Sequence, residues 1–414
     1  MLTGRDFEWL LMKLIRILAL ASLALFASAS VWGQNAKTAS FAVVDLSSKV
    51  GRAASQLRIR ALGQDFLLNL EPNSALLASM PARQRQKVAK TDLFLRGTLE
   101  GIPSSWVRLN RIGGRFSGGF FDGNELYLID AADPFLDGIA SGAVPGQTVV
   151  FRFADLQLDA FIDHDAIQPA DNVKTSGTDY LTFTRHLREV AALKGGPMMA
   201  LPVTIVSDEQ FSQVHGNDTE SVVIGRINFI DGIFSSQLGV GLQLLHHEIL
   251  TDNGVLDATD SGDLLGGRVE NGSLAQPGFR QFMISGAGSD LPFAGVAHLF
   301  TGRDLDGNTI GRAYIGVLCS TGFGYGINQN LGSDTRSALV FAHELGHNFN
   351  APHDGENACE SEEFRGIMNG RIRGSEQFSD CSLDVMGQEL ARASCLVEVF
   401  ENPDVFRDGF ETEQ

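Results

Sequence analysis

The sequence predicts two units: a β-rich one over residues 37–197 and, over 198–400, an α/β (α+β) domain whose twisted, mostly parallel sheet carries a functional helix on one side. Three observations predict this. The first stretch alternates apolar and polar residues between Gly-rich turns, and the second shows strand and helix periods in succession. The charge divides at the same place: residues 1–197 hold 21 Lys+Arg against 19 Asp+Glu, whereas residues 198–414 hold 11 against 31, and no Lys follows Lys194. The net −18 of the 414-residue chain therefore belongs to its second half. So acidic a unit is not built to hold nucleic acid, and its charge reads as solubility outside the cell.

At the N-terminus, Lys13 and Arg16 precede an apolar run over 17–26 and the small residues Ala27-Ser28-Ala29, the pattern of a signal peptide within 1–36 that is cut after Ala29 or a few residues later. The run is too short for a stable membrane span. Residues 56–60, 91–97 and 105–109 alternate as half-buried strands. Lys194-Gly195-Gly196-Pro197 reads as a linker to a first strand at 201–206. Val222, Val223, Ile227, Ile230 and Ile233 have helical spacing, and 240–245 reads as the next strand. His246-His247-Glu248 has Thr251 where a second ligand one turn on would stand, so both His are expected to be structural. The acidic loop 252–263 has a calcium-like composition without EF-hand spacing, leaving a Ca²⁺ requirement unsupported. Asp304-Leu305-Asp306-Gly307-Asn308 is expected to be a hairpin turn, and 401–414 an acidic tail. The four Cys all lie in the second half, none in a C-x-x-C pair, which with an export signal favours two disulfides in any of three pairings.

The chemistry concentrates in His343-Glu344-Leu345-Gly346-His347 and the residues that follow, as far as Asp354. On a helix, positions i and i+4 share a face, so His343 and His347 can turn a ring nitrogen to one metal ion, with Glu344 placed to hold a water. A catalytic zinc site usually has three protein ligands and one open position. His353 is the third, provided the chain reverses between Phe349 and Pro352. Ser333 or Asp334 caps this helix, and Ala338, Leu339, Phe341, Ala342 and Leu345 form its buried side.

The segment matches the metzincin pattern H-E-x-x-H-x-x-G-x-x-H except at Asn350, where Asn replaces the Gly that ends the helix in a left-handed conformation. With Asp354, the Gly366-Ile367-Met368 turn, Phe378-Ser379-Asp380-Cys381-Ser382 and the edge-strand-like 309–319, residues 198–400 resemble the adamalysin (reprolysin, ADAM-like) branch of the metzincins. More faintly, 97–105, 113–119 and 127–129 are similar to the β-rich propeptide of adamalysin relatives.

The resemblance implies a metzincin-like fold and a secreted zinc endopeptidase made as a proenzyme, extracellular or periplasmic, monomeric, acting on proteins or peptides and held by its own propeptide. It implies one Zn²⁺ on His343, His347 and His353, Glu344 as general base, Met368 as the floor of the Met-turn, substrate laid along Arg312 to Gly316, and disulfides Cys319–Cys395 and Cys359–Cys381. No Cys precedes Cys319, so latency must come from occlusion or another ligand, with processing expected between Arg188 and Met199. The other readings are a catalytically silent module that keeps the fold, or a metzincin of astacin or serralysin type, against which Asp354 and the Phe378–Ser382 segment speak.

Overall fold

The computed structural model describes residues 40–46, 50, 55–132, 143–155, 166–167, 180–194, 197, 199–364, 366–371, 375 and 377–399. The expected signal peptide at 1–36, the linker glycines Gly195 and Gly196, and the tail at 401–414 lie outside these residues.

Eight strands make the first sheet: β1 (Phe41–Val44), β2 (Ser55–Ala61), β3 (Gln64–Pro72), β4 (Leu93–Leu99), β5 (Ile102–Ile112), β6 (Arg115–Phe121), β7 (Leu126–Ala131) and β8 (Thr148–Arg152). They form an antiparallel meander from β2 to β8, with β1 added beyond β8. Short turns explain this topology, because neighbours in sequence become neighbours in space. Helix α1 (Ala82–Thr91) bridges β3 and β4. One face of the sheet packs its own core of Leu57, Leu68, Val107, Phe120 and Val150.

The second sheet is built from β9 (Ala166–Ile167), β10 (Met199–Ser207), β11 (Val240–Ile249), β14 (Val296–Thr301), β15 (Gly311–Tyr314), β16 (Tyr325–Gln329) and β17 (Val397–Glu398), and a small ribbon pairs β12 (Arg268–Glu270) with β13 (Ser273–Gln276). Its order is β11-β10-β14-β16-β15-β9, with β17 against β10. The β10–β11, β10–β14 and β14–β16 pairs are parallel, and β15 runs antiparallel to β16. The helices are α2 (Tyr180–Lys194), α3 (Glu209–His215), α4 (Thr219–Leu238), α5 (Ser261–Gly266), α6 (Phe279–Ser285), α7 (Asp334–Asn348) and α8 (Asp380–Leu390).

Two expectations are corrected. The stretch around Asp304 to Asn308 is not a hairpin turn, because β16 inserts between β14 and β15. Gln329 at the end of β16 holds that loop instead, accepting from Leu305 N (3.0 Å) and donating to Asp304 Oδ1 (2.9 Å). The edge strand is also shorter than 309–319. Beyond Tyr314 the chain leaves the sheet and donates from Gly316 N to His347 O (2.9 Å) and from Val317 N to Asn348 O (3.0 Å), satisfying carbonyls that the end of α7 leaves open.

Helix α4 joins the two halves. It is buried over nearly its whole length, with one side against β11 and α7 and the other against β4, β5 and β6. That explains why its apolar stripe is incomplete: a helix covered on every side has no solvent face to make polar. The polar residues on the side facing the first sheet are paired across the seam. Arg108 meets Asp231 at 2.7 Å, and Asn228 donates to Asn110 Oδ1 at 2.7 Å while accepting from Asn73 Nδ2 at 2.8 Å. Gly232 gives way to Trp106, whose Cε3 lies 2.5 Å from where a Cβ would stand. A buried donor or acceptor left unpaired costs about 1–3 kcal/mol, so this ladder fixes the register of the two units as well as holding them.

Candidate metal centre

Ser333 caps α7, its hydroxyl accepting from Arg336 N, and the same hydroxyl donates to Asp130 Oδ2 of β7 at 2.6 Å. Thr335 Oγ1 donates to that oxygen as well, at 2.7 Å. A carboxylate from the first sheet thus sits at the positive end of the helix that carries the site.

Three turns on, His343, Glu344 and His347 are all buried against the edge strand. The helix ends at Asn348, and Asn350 takes φ +80°, the left-handed conformation that its place in the motif demands. Asn350 N donates to His347 O (2.8 Å) and Ala351 N to Gly346 O (3.0 Å), so the reversal also closes the helix C-terminus. The chain then returns and brings His353 to the other two imidazoles, with ring centroids 4.8, 5.3 and 5.1 Å apart.

One ring nitrogen from each of His343, His347 and His353 lies within 4.8 Å of the others, a spacing at which one metal ion fits among them. The outer nitrogens are already used. His343 Nδ1 bonds Ile367 O and His347 Nδ1 bonds Ala351 O, each at 2.7 Å, and His353 Nδ1 lies 3.4 Å from Glu356 Oε2. Such partners fix ring orientation and leave Nε2 for the metal, and three neutral imidazoles are a donor set that zinc accepts. The Glu344 carboxylate lies against β15, where a Cβ on Gly311 would meet its Oε1.

Met368 is fully buried and packs against Gly346, where a Cβ would meet its Sδ. Asp354 ties three segments together. It donates from its N to Met368 O (2.8 Å), accepts from Gly366 N (2.7 Å) through Oδ2, and accepts from Ser379 Oγ (2.7 Å) through Oδ1. Cys359–Cys381 pins the loop after Asp354 to α8, and Cys319–Cys395 ties the end of the edge segment to the chain before β17.

Sequence reasoning did not single out Gly311 or Gly346, nor the buried row Asn328–His298–Asn348 behind the helix. His298 Nδ1 and Nε2 pair with the side-chain amides of Asn328 (2.9 Å) and Asn348 (2.8 Å), one ring nitrogen donating and the other accepting, and Asn348 Nδ2 donates to Tyr314 O (2.8 Å), which sets the edge strand against α7. Burial lowers the His298 pKa to about 4, so it stays neutral. His246 and His247 lie on β11 as structural residues: His247 bonds Ser207 Oγ at 2.8 Å, and His246 faces Glu248 at 3.2 Å. In the segment Arg312 to Gly316, expected to take substrate, Arg312 Nε donates to Ser261 Oγ at 2.9 Å.

A family model described as metallopeptidase family M12, of the reprolysin type, matches residues 200–380. Residues 200–380 are thus similar to a reprolysin domain. The match to this reprolysin domain begins inside β10 and stops at the first residue of α8. A zinc metalloproteinase/disintegrin of Bitis gabonica is 44% identical over 89 residues, which is 21% of this chain and 27% of the viper protein. The human disintegrin and metalloproteinase with thrombospondin motifs 1 is 24% identical over 94% of this chain and 45% of its own length. The human disintegrin and metalloproteinase domain-containing protein 22 is 24% identical over 86% of this chain and 38% of its own. The chain thus spans less than half the length of these relatives. Among the described residues no helix is long and apolar enough to cross a membrane.

Proposed function

We propose that this protein is a secreted zinc endopeptidase kept latent by its N-terminal half, which acts as a propeptide. The observation that carries the peptidase reading is the set of three buried imidazoles around one point, with their outer nitrogens occupied and Glu344 beside them. His343, His347 and His353 would hold the ion. When bound, zinc polarises the scissile carbonyl and acidifies a water. Glu344 removes the proton from the attacking water and hands it to the departing amine, acting as base and then as acid. Met368 supplies an apolar floor that keeps the rings from tilting. Once β9 is released, the edge of β15 takes the substrate backbone as an added strand, a mode in which main-chain hydrogen bonds give affinity.

The latency reading rests on what already lies along that edge. Residues Ala166 and Ile167 of β9 run parallel to Ala313 and Tyr314, and Ile315 N donates to Ile167 O at 3.0 Å. An occupied edge cannot add a second strand, so occlusion replaces the cysteine that this half lacks.

The experiment is Glu344→Ala in the processed form. Peptide hydrolysis should fall by about 10²- to 10⁴-fold, the usual worth of a general acid–base group, while about one zinc per chain is kept because the carboxylate serves the water and not the metal. Turnover close to that of the unmutated enzyme would falsify the mechanism.

A further inference from the structure

We propose that helix α2 stays with the reprolysin domain when the propeptide is cut, so that processing falls N-terminal to Tyr180 and not at Arg188 or beyond. The inference rests on the proenzyme reading above.

The contacts of α2 are with the catalytic half. It packs against α8 and α4. Its first backbone N–H, at Tyr180, is one that a helix leaves without an internal partner, and Asp384 Oδ1 of α8 accepts it at 3.0 Å. Two glycines of the catalytic half make room for it. At Gly387 a Cβ would lie 2.9 Å from Thr184 Cγ2 and 3.0 Å from Tyr180 O. At Gly239, φ +71°, it would lie 2.5 Å from the carbonyl carbon of Leu187 and 2.7 Å from Arg188 N. Thr184 is fully buried, and Phe183 and Leu187 pack on the core around α4 and α7. Towards the first sheet the picture reverses. A cavity of about 980 Å³ separates the two, lined by Arg185, Arg188 and Glu189 on one side and by Gln56, Asn69 and Arg96 on the other. The seam between the units therefore runs on the sheet side of α2.

A cut beyond Arg188 would divide this packed helix from the strand it precedes, or require it to unwind first. Proteases take extended, accessible chain, and helical backbone that is hydrogen-bonded and packed is protected by the free energy of opening it.

Limited trypsin digestion of the purified full-length chain separates the two positions, since Lys174 precedes α2 while Arg185, Arg188 and Lys194 lie within it. The expected first product, read by intact mass, begins at Thr175, gains peptidase activity and keeps the bonds after Arg185, Arg188 and Lys194 intact. In Asp384→Ala, which removes the carboxylate that caps α2, cleavage at Arg185 and Arg188 should rise by about fivefold, the effect of losing one helix cap. Active product that begins at Glu189 or later, or equal cleavage of the two proteins, overturns the proposal. A full-length chain as active before digestion as after it sinks the proenzyme reading and this inference together; the activity assay identifies that outcome, whereas intact mass identifies a wrong cleavage position.

Discussion

At the scale of single residues, Asn350 shows how one backbone angle serves the chemistry. Its φ of +80° lets the chain turn back so that His353 reaches His343 and His347. Asn350→Gly should keep both zinc and activity, because glycine takes that conformation without a side-chain penalty. Asn350→Val should lose zinc affinity, since a β-branched residue at positive φ is strained and moving His353 away would relieve it. Equal zinc content in the two variants, measured by atomic absorption, would refute this role for the angle. The turn was legible because Asn stands where the motif needs a left-handed residue. Gly311 and Gly346 were not, since their lack of a side chain is dictated by Glu344 and Met368, which are brought close only by the fold.

At the scale of elements, α7 was readable almost to its ends. Ser333 caps it, and its buried side follows from periodicity. What the sequence could not show is that the cap is shared with Asp130, 203 residues away. Burial raises the pKa of Asp130 to about 6, helped by the nearby Asp334 carboxylate and opposed by the Ser333 and Thr335 hydroxyls. The folded protein then holds this proton more tightly than the unfolded chain does. Its stabilising contribution is complete below the ordinary value of 3.8 and is lost as pH rises through about 6. Relative to Asp130→Asn, the unmutated protein should gain about 2 kcal/mol between pH 7 and pH 4, followed by urea midpoints at each pH. A difference that stays flat across this range would mean that the helix terminus keeps Asp130 ionised throughout. The misread hairpin around Asp304 failed for a related reason: turn chemistry says that a chain bends, whereas strand order depends on β16, which comes later in the chain.

At the scale of the whole molecule, the structure holds two large sheets, and the charge boundary does not mark how closely they join. Helix α4 is covered from both sides, and Arg108–Asp231 and Asn110–Asn228 cross the seam. Cutting the connection removes none of these contacts. After processing, the halves should therefore co-elute in gel filtration and part only in denaturant, with the local release of β9 being enough to open the edge strand. A catalytic half that elutes alone under native conditions would disprove this.

The position of β17 has a consequence for the timing of synthesis. It pairs Glu398 with Met199 and Val397 with Ala200, closing the second sheet with nearly the last described residues onto its first long strand. From β2 to β8 the first sheet is a meander of neighbouring strands and leaves the ribosome early, whereas the second sheet must await a partner about 200 residues downstream. On the proenzyme reading proposed above, the metal-binding half would complete its fold only after the first sheet has formed. Nascent chains stalled short of residue 390 should show a protease-resistant first sheet and no zinc-dependent peptidase activity; activity in such chains would rule out this order of events.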